Sequence, residues 1–149
     1  SYETVVNPYK IFNFEGFWYL IAKRKNNLRR YYLQNIFNVE ILEDRFRKSK
    51  NIEELISNAI NIWFDETDSF EVELLIDVSI SKYFMRKPIS KSQRLKEFDS
   101  NGNMIITLDI TNEKEIIPIV KYWLPNIKVL KPIGLNKKIQ DEVKKFLDD

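Results

Sequence analysis

The chain of 149 residues has no cysteine and no histidine, and only three glycines and five prolines. Without His or Cys it cannot build a His/Cys zinc site, a Ser-His triad, a thiol nucleophile or a disulfide. A proton shuttle at neutral pH would need a strongly perturbed carboxylate, lysine or tyrosine. Composition leaves open oxygen-ligated calcium or magnesium, a carboxylate pair and a Ser-Lys dyad. Long hydrophobic runs are also missing: nothing approaches the ~20 apolar residues of a membrane span, and no leader pattern opens the chain. The expectation is a cytoplasmic protein that does not engage the membrane.

What is present reads as globular, with 44% hydrophobic and 31% charged residues. A chain of this length buries roughly 68–70% of the surface it exposes unfolded, enough for one ordinary domain or two small ones. The net charge of +2 conceals an asymmetry. Residues 1–50 hold ten Lys/Arg against five Asp/Glu, and residues 51–149 hold fourteen against seventeen, so the basic character belongs to the first third.

That first third has β character. Short β-prone runs at Thr4–Val6 and Tyr9–Phe14 flank Pro8, and Glu15-Gly16 signals a turn into the apolar run Phe17–Ala22. Lys25-Asn26-Asn27 offers a tight turn, since Asn tolerates the left-handed conformation, and Leu28–Leu33 and Ile36–Leu42 supply two more expected strands. Four short strands in so compact a span point to a small barrel or curled sheet. The period then changes. Ile52, Leu55, Ile56, Ala59, Ile60 and Trp63 share one face of a helix expected over Asn51–Trp63, with Asn51 and Glu54 as a capping pair. The acidic stretch Asp65–Ser69 is the expected boundary.

Beyond it, Phe70, Val72, Leu74, Ile76 and Val78 form the apolar series of a half-buried strand. Ser79–Met85 reads as a short helix capped by Ser79, and Ser92–Phe98 and Met104–Ile110 as strands around the Asn101-Gly102 hairpin signal. Asn112–Leu124 reads as a helix with Asn112 as cap and Glu115 reaching back, and Pro118 predicts a kink or a late start. Ile127–Leu130 is a strand, and Ile133–Leu147 an amphipathic helix. The order from residue 70 to 130 is βαββαβ, the split βαβ or ferredoxin-like arrangement.

Phe17-Trp18-Tyr19-Leu20-Ile21-Ala22 contains a Trp-Tyr-Leu triplet. Around it stand Asn7-Pro8-Tyr9, Glu15-Gly16, Leu33, Ile36 and Phe46, and together these resemble the WYL domain of bacterial transcriptional regulators. Residues 69–149 resemble its C-terminal extension, the WCX domain, through the Phe70–Val78 strand, the Asn101-Gly102 hairpin and Val129-Leu130-Lys131-Pro132 followed by Leu135. The resemblance implies an α+β chain, with an SH3-type or Sm-like barrel over 1–50, a linker helix and acidic loop over 51–68, and a ferredoxin-like domain over 69–149. It implies effector sensing, with single-stranded nucleic acid or a nucleotide as ligand, and DNA contacted through an N-terminal domain absent from this chain. The family's first barrel strand has no counterpart upstream of Thr4–Val6, so a C-terminal fragment is expected. The family's Arg-aromatic-Arg-Leu-Asp-Arg-Ile run lacks two of its arginines here: Tyr32 and Asn35 stand where they are expected, while Tyr31, Leu33 and Ile36 match.

The candidate ligand site is the hairpin carrying Lys23, Arg24, Arg29, Arg30, Tyr32 and Asn35. The cations neutralise phosphates, Tyr32 stacks or hydrogen-bonds, and Asn35 reads a base edge or orients Tyr32. With Asn26-Asn27 as a two-residue turn, Arg24 would oppose Arg29 and Lys23 would oppose Arg30. Such like-charge pairs point to an anion nearby or a splayed loop. A solvated hairpin tip is the competing reading, and the triplet itself is expected in the barrel core. A second basic run, Lys82, Arg86, Lys87, Lys91, Arg94 and Lys96, either extends a phosphate track or forms a solvated surface. The S-x-x-K match at Ser79–Lys82, the calcium-like Asp99–Asn103 and the acidic cluster Asp65, Glu66, Asp68 read as ordinary structure. No catalytic residue, metal or cofactor is expected. The competing function is a homodimerisation module using an unpaired sheet edge.

Overall fold

The turn Glu15-Gly16 places two residues in the left-handed region, with φ of +52° and +84°. That matches the right-handed twist of the strands it joins. It connects β1 (Asn7–Phe14) to β2 (Phe17–Arg24), and a second tight turn leads to β3 (Asn27–Tyr32). The three strands form an antiparallel meander in the order β1-β2-β3. Tyr9 is the extra residue of a bulge between Pro8 and Lys10, which bends β1 over its partner. Tyr9 also anchors a distant segment: its hydroxyl accepts from the Ser49 amide at 3.0 Å and its ring meets Phe46 at 5.7 Å. No atom lies within 4 Å of a Cβ added at Gly16, so Gly16→Ala costs backbone strain alone. We expect about 1–2 kcal/mol less stability by urea unfolding.

The computed structural model describes residues 2–148. Two expected strands do not form. Residues 2–6 are irregular, and β3 gives way to a 3-10 turn at Leu33–Asn35, after which 36–49 is irregular up to α1. Phe37, Val39 and Ile41 along this segment are largely exposed, so apolar alternation there is not matched by a buried face. The first helix, α1 (Lys50–Asn58), is shorter than expected and buries Ile52 and Ile56.

The chain divides into two compact units, one up to Leu55 and one from Ile56 onward. In the second, β4 (Phe70–Ile76) and β6 (Met104–Ile110) pair centrally, with β5 (Arg94–Phe98) and β7 (Ile127–Lys131) outside them in the order β5-β6-β4-β7. All neighbouring strands are antiparallel. With α2 (Ser81–Arg86) and α3 (Ile117–Tyr122) as the crossovers, this is the ferredoxin-like arrangement, and α4 (Ile133–Leu147) follows. One sheet face supplies Val72, Leu74, Ile76, Ile106, Leu108 and Val129 to a core completed by Phe84 of α2, Val120 of α3, and Leu135 and Ile139 of α4. The molecule as a whole is therefore α+β: a β-meander of small-barrel type, then the ferredoxin-like sheet.

Pro118 lies in the first turn of α3, the late start that its missing N–H favours, and a 3-10 turn at Glu113–Glu115 precedes it. The Asn112–Glu115 capping box forms as expected. Glu115 does more than cap. It is fully buried, and its carboxylate accepts from the amides of Ile60, Thr111 and Asn112 and from the Thr111 hydroxyl, at 2.9–3.3 Å. Buried Asn61 donates to the carbonyls of Lys114 and Glu115, while the Asp65 amide donates to the Thr111 hydroxyl. The irregular stretch 60–65 is thus strapped to the loop before α3.

Ser79 is not the cap of α2. Its amide and hydroxyl both donate to the Asp77 carboxylate, at 2.8 and 2.6 Å, and these bonds hold that carboxyl below its usual range. Between β5 and β6, the Asp99 carboxylate accepts from the amides of Asn101 and Asn103 and from the Asn103 side chain. Its oxygens are engaged within the turn, where Gly102 adopts φ +81°.

Candidate nucleic-acid interface

The β2–β3 hairpin turns on Lys25-Asn26, with Lys25 itself at φ +55°, rather than on Asn26-Asn27. Asn27 instead pairs with Arg24 as the first residue of β3, and Lys23 pairs with Leu28, Ala22 with Arg29 and Ile21 with Arg30. The expected opposition of like charges is therefore absent. Each cation faces a neutral residue directly across the ladder, so no like charges stand directly opposite one another. The slip moves every partner by two residues, which leaves the face of each side chain unchanged.

Those faces split the candidate residues. On one, Lys23, Arg30 and Tyr32 lie with Phe17, Tyr19 and Ile21. The Tyr32 ring sits 5.8 Å from Phe17, edge-on, and 5.8 Å from Tyr19. Ile21 is fully buried, Lys23, Arg30 and Tyr32 are half-buried, and Phe17 is 52% exposed. The result is an aromatic cluster with an accessible ring and two cations further along the strands. On the opposite face Arg24 and Arg29 lie with Trp18, Leu20, Ala22 and Tyr31. The Arg24 guanidinium stacks over Tyr2 at 5.2 Å, and the buried Tyr31 hydroxyl has no hydrogen-bond partner among the described residues. Asn35 ends the 3-10 turn, exposed and off the sheet.

The triplet is less buried than a core assignment requires. Trp18 is 52% exposed, Tyr19 and Leu20 are half-buried, and the fully buried pair is the next one, Ile21 and Ala22. Phe17 was not among the candidates, although its alternation with Tyr19 already placed it beside Tyr32.

The second basic run is sorted by its partners. Arg94 pairs with Asp109 at 3.1 Å, Lys96 with Glu73 at 2.8 Å, and Lys91 donates to Ser57 at 2.6 Å. Glu73 is almost wholly buried on the sheet, with Lys131 3.7 Å away on its other side. The Lys96 hydrogen bond, opposed by burial and helped by Lys131, holds the Glu73 carboxyl below its ordinary 4.5. A depressed carboxyl contributes stability above its unfolded pKa and loses it as pH falls through the folded value. The stability gained between pH 3 and pH 7 should therefore shrink in Lys96→Met, as read by urea unfolding at the two pH values.

Among the described residues no group of three or more Asp or Glu side chains is placed to hold a metal ion, and no helix is long and apolar enough to cross a membrane. The WYL domain model matches residues 1–41 and the WCX domain model residues 68–147. The chain belongs to this family, a WYL domain followed by its WCX extension. No curated protein matches it. Among solved structures it is similar to proteasome accessory factor B/C (PafBC) of Arthrobacter aurescens, at 20% identity and a TM-score of 0.41. That likeness covers 93% of this chain and 22% of the other.

Proposed function

We propose that this chain is the effector-sensing part of a bacterial WYL-family transcriptional regulator, and that its β2–β3 hairpin binds a phosphate-bearing ligand of the single-stranded nucleic acid or nucleotide class. The observation that carries this reading is the meeting of Lys23 and Arg30 with the Tyr32–Phe17–Tyr19 cluster on one face of one hairpin. Cations neutralise phosphates, and an exposed aromatic ring offers an unpaired base a stacking surface. Lys23 and Arg30 make the phosphate contacts, Tyr32 and Phe17 form the stacking surface, Arg24 and Arg29 add positive potential from the back of the hairpin, and Asn35 meets the ligand beyond the end of β3. In this reading residues 1–50 sense, 51–68 connect, and 69–149 extend the module. The work is regulatory rather than catalytic, and target DNA is read by a separate N-terminal domain.

The test is titration of the chain with a labelled single-stranded oligonucleotide at several salt concentrations. Arg29→Ala with Arg30→Ala should weaken binding and flatten the salt slope; an unchanged affinity and slope would remove the hairpin from the site. A homodimer without a ligand of its own is the second reading, favoured by the exposed apolar side chains Ile11 and Trp18 on the sheet. Sedimentation separates the two, because an apolar dimer persists in high salt without ligand whereas phosphate binding weakens.

A further inference from the structure

We propose a second contact site for single-stranded nucleic acid, on the α2–α3 side of the WCX unit and independent of the hairpin. Tyr83 of α2 stacks on Trp123 at 5.7 Å with 28° between the rings, and Tyr122 meets Trp123 edge-on at 5.3 Å. Tyr83 and Tyr122 are 46% and 80% exposed. Trp123 packs against the core, and Tyr83 and Tyr122 are the rings of the group that reach solvent.

The two segments that carry these rings hold cations and no carboxylates of their own. Residues 78–96 and 116–140 contain no Asp or Glu. The ion pairs divide the cations of these segments into two sets. Arg94, Lys96, Lys121, Lys131 and Lys138 are paired with carboxylates elsewhere in the unit. Lys82, Arg86 and Lys87 are exposed and form no ion pair among the described residues, and all three flank Tyr83. The Lys82 ammonium stands 5.3 Å from the Tyr83 ring centre, while Arg86 follows Tyr83 by three positions, one helical turn along the same face, and Lys87 is the first residue past the helix. Unpaired cations beside stacked, exposed rings are complementary to a polyanion whose bases are free to stack. The open face of the sheet is the poorer candidate, because Glu71, Glu73 and Asp109 lie along it.

The experiment uses the whole chain and a fluorescein-labelled oligothymidine of about 15 nucleotides, read by anisotropy. Tyr83→Ala should weaken binding roughly 5- to 100-fold and Tyr83→Phe should preserve it, since stacking needs the ring and not the hydroxyl. Arg86→Gln with Lys87→Gln should lower the log–log salt slope by about 1.4, two phosphate contacts on a single strand. The same changes made on top of Arg29→Ala and Arg30→Ala should have the same effect, which separates this site from the hairpin. Wild-type affinity in Tyr83→Ala, or an unchanged slope in the glutamine pair, would overturn the proposal. So would self-association lost in Tyr83→Ala with oligothymidine binding intact, which would assign the surface to a second copy.

Discussion

Glu115→Ala is expected to lower the unfolding free energy by about 3–5 kcal/mol, a large share of a small domain's stability. The carboxylate is fully buried and receives three backbone amides and a hydroxyl, from Ile60, Thr111 and Asn112. Truncation leaves four part-buried donors without this acceptor, and a buried donor left unsatisfied costs about 1–3 kcal/mol unless water or a backbone shift supplies another partner. Glu115→Gln should recover only part of the loss, because its amide nitrogen turns a donor toward donors. The first segment to open should be 60–65, since the bonds of Ile60 and Asn61 to this loop hold it. Urea unfolding gives the magnitude and amide exchange gives the location. A loss below about 1 kcal/mol, or unchanged protection at Ile60, would mean that the strap does not depend on Glu115.

The second large effect is expected at the hairpin, and the two faces make it specific. Lys23→Ala with Arg30→Ala should weaken oligonucleotide binding roughly 10- to 30-fold at about 0.1 M salt, the size of two lost phosphate contacts on a single strand. Arg24→Ala with Arg29→Ala removes the same charge from the opposite face and should cost clearly less. Equal losses would mean that net charge, not the Lys23–Arg30–Tyr32 face, drives binding. Tyr32→Ala should add a loss at high salt, where stacking persists after the charge contribution is screened.

Much of the second unit was legible because its signals are local and redundant. The Phe70–Ile76 alternation, the Asn112–Glu115 box and the span of α4 each follow from one dominant rule, and their order defines the ferredoxin-like topology. Failures came where several residues satisfy the same rule. Lys25, Asn26 and Asn27 all sit in a turn-prone stretch, and it is Lys25 that takes positive φ, so the cross-strand partners changed while the faces did not. Ser79 has the chemistry of a cap, but Asp77 two residues earlier competes for it. The Ile36–Leu42 pattern has strand composition but no partner strand among the described residues. The role of Glu115 toward Ile60 spans 55 positions, and no local pattern reports a bond of that range. For the candidate site, residue types and faces could be read from sequence, whereas the ion pairs that hold Arg94 and Lys96 of the second basic run required coordinates.

The central claim is that the Lys23–Arg30–Tyr32 face of the hairpin receives a single-stranded, phosphate-bearing ligand. Its most direct measurement is a two-dimensional amide NMR titration of the intact chain with oligothymidine at low salt. Saturable shifts at Phe17, Lys23, Arg30, Tyr32 and Asn35, abolished in Lys23→Ala with Arg30→Ala, are the predicted result. Binding that leaves every amide from Phe17 to Asn35 unmoved would contradict it.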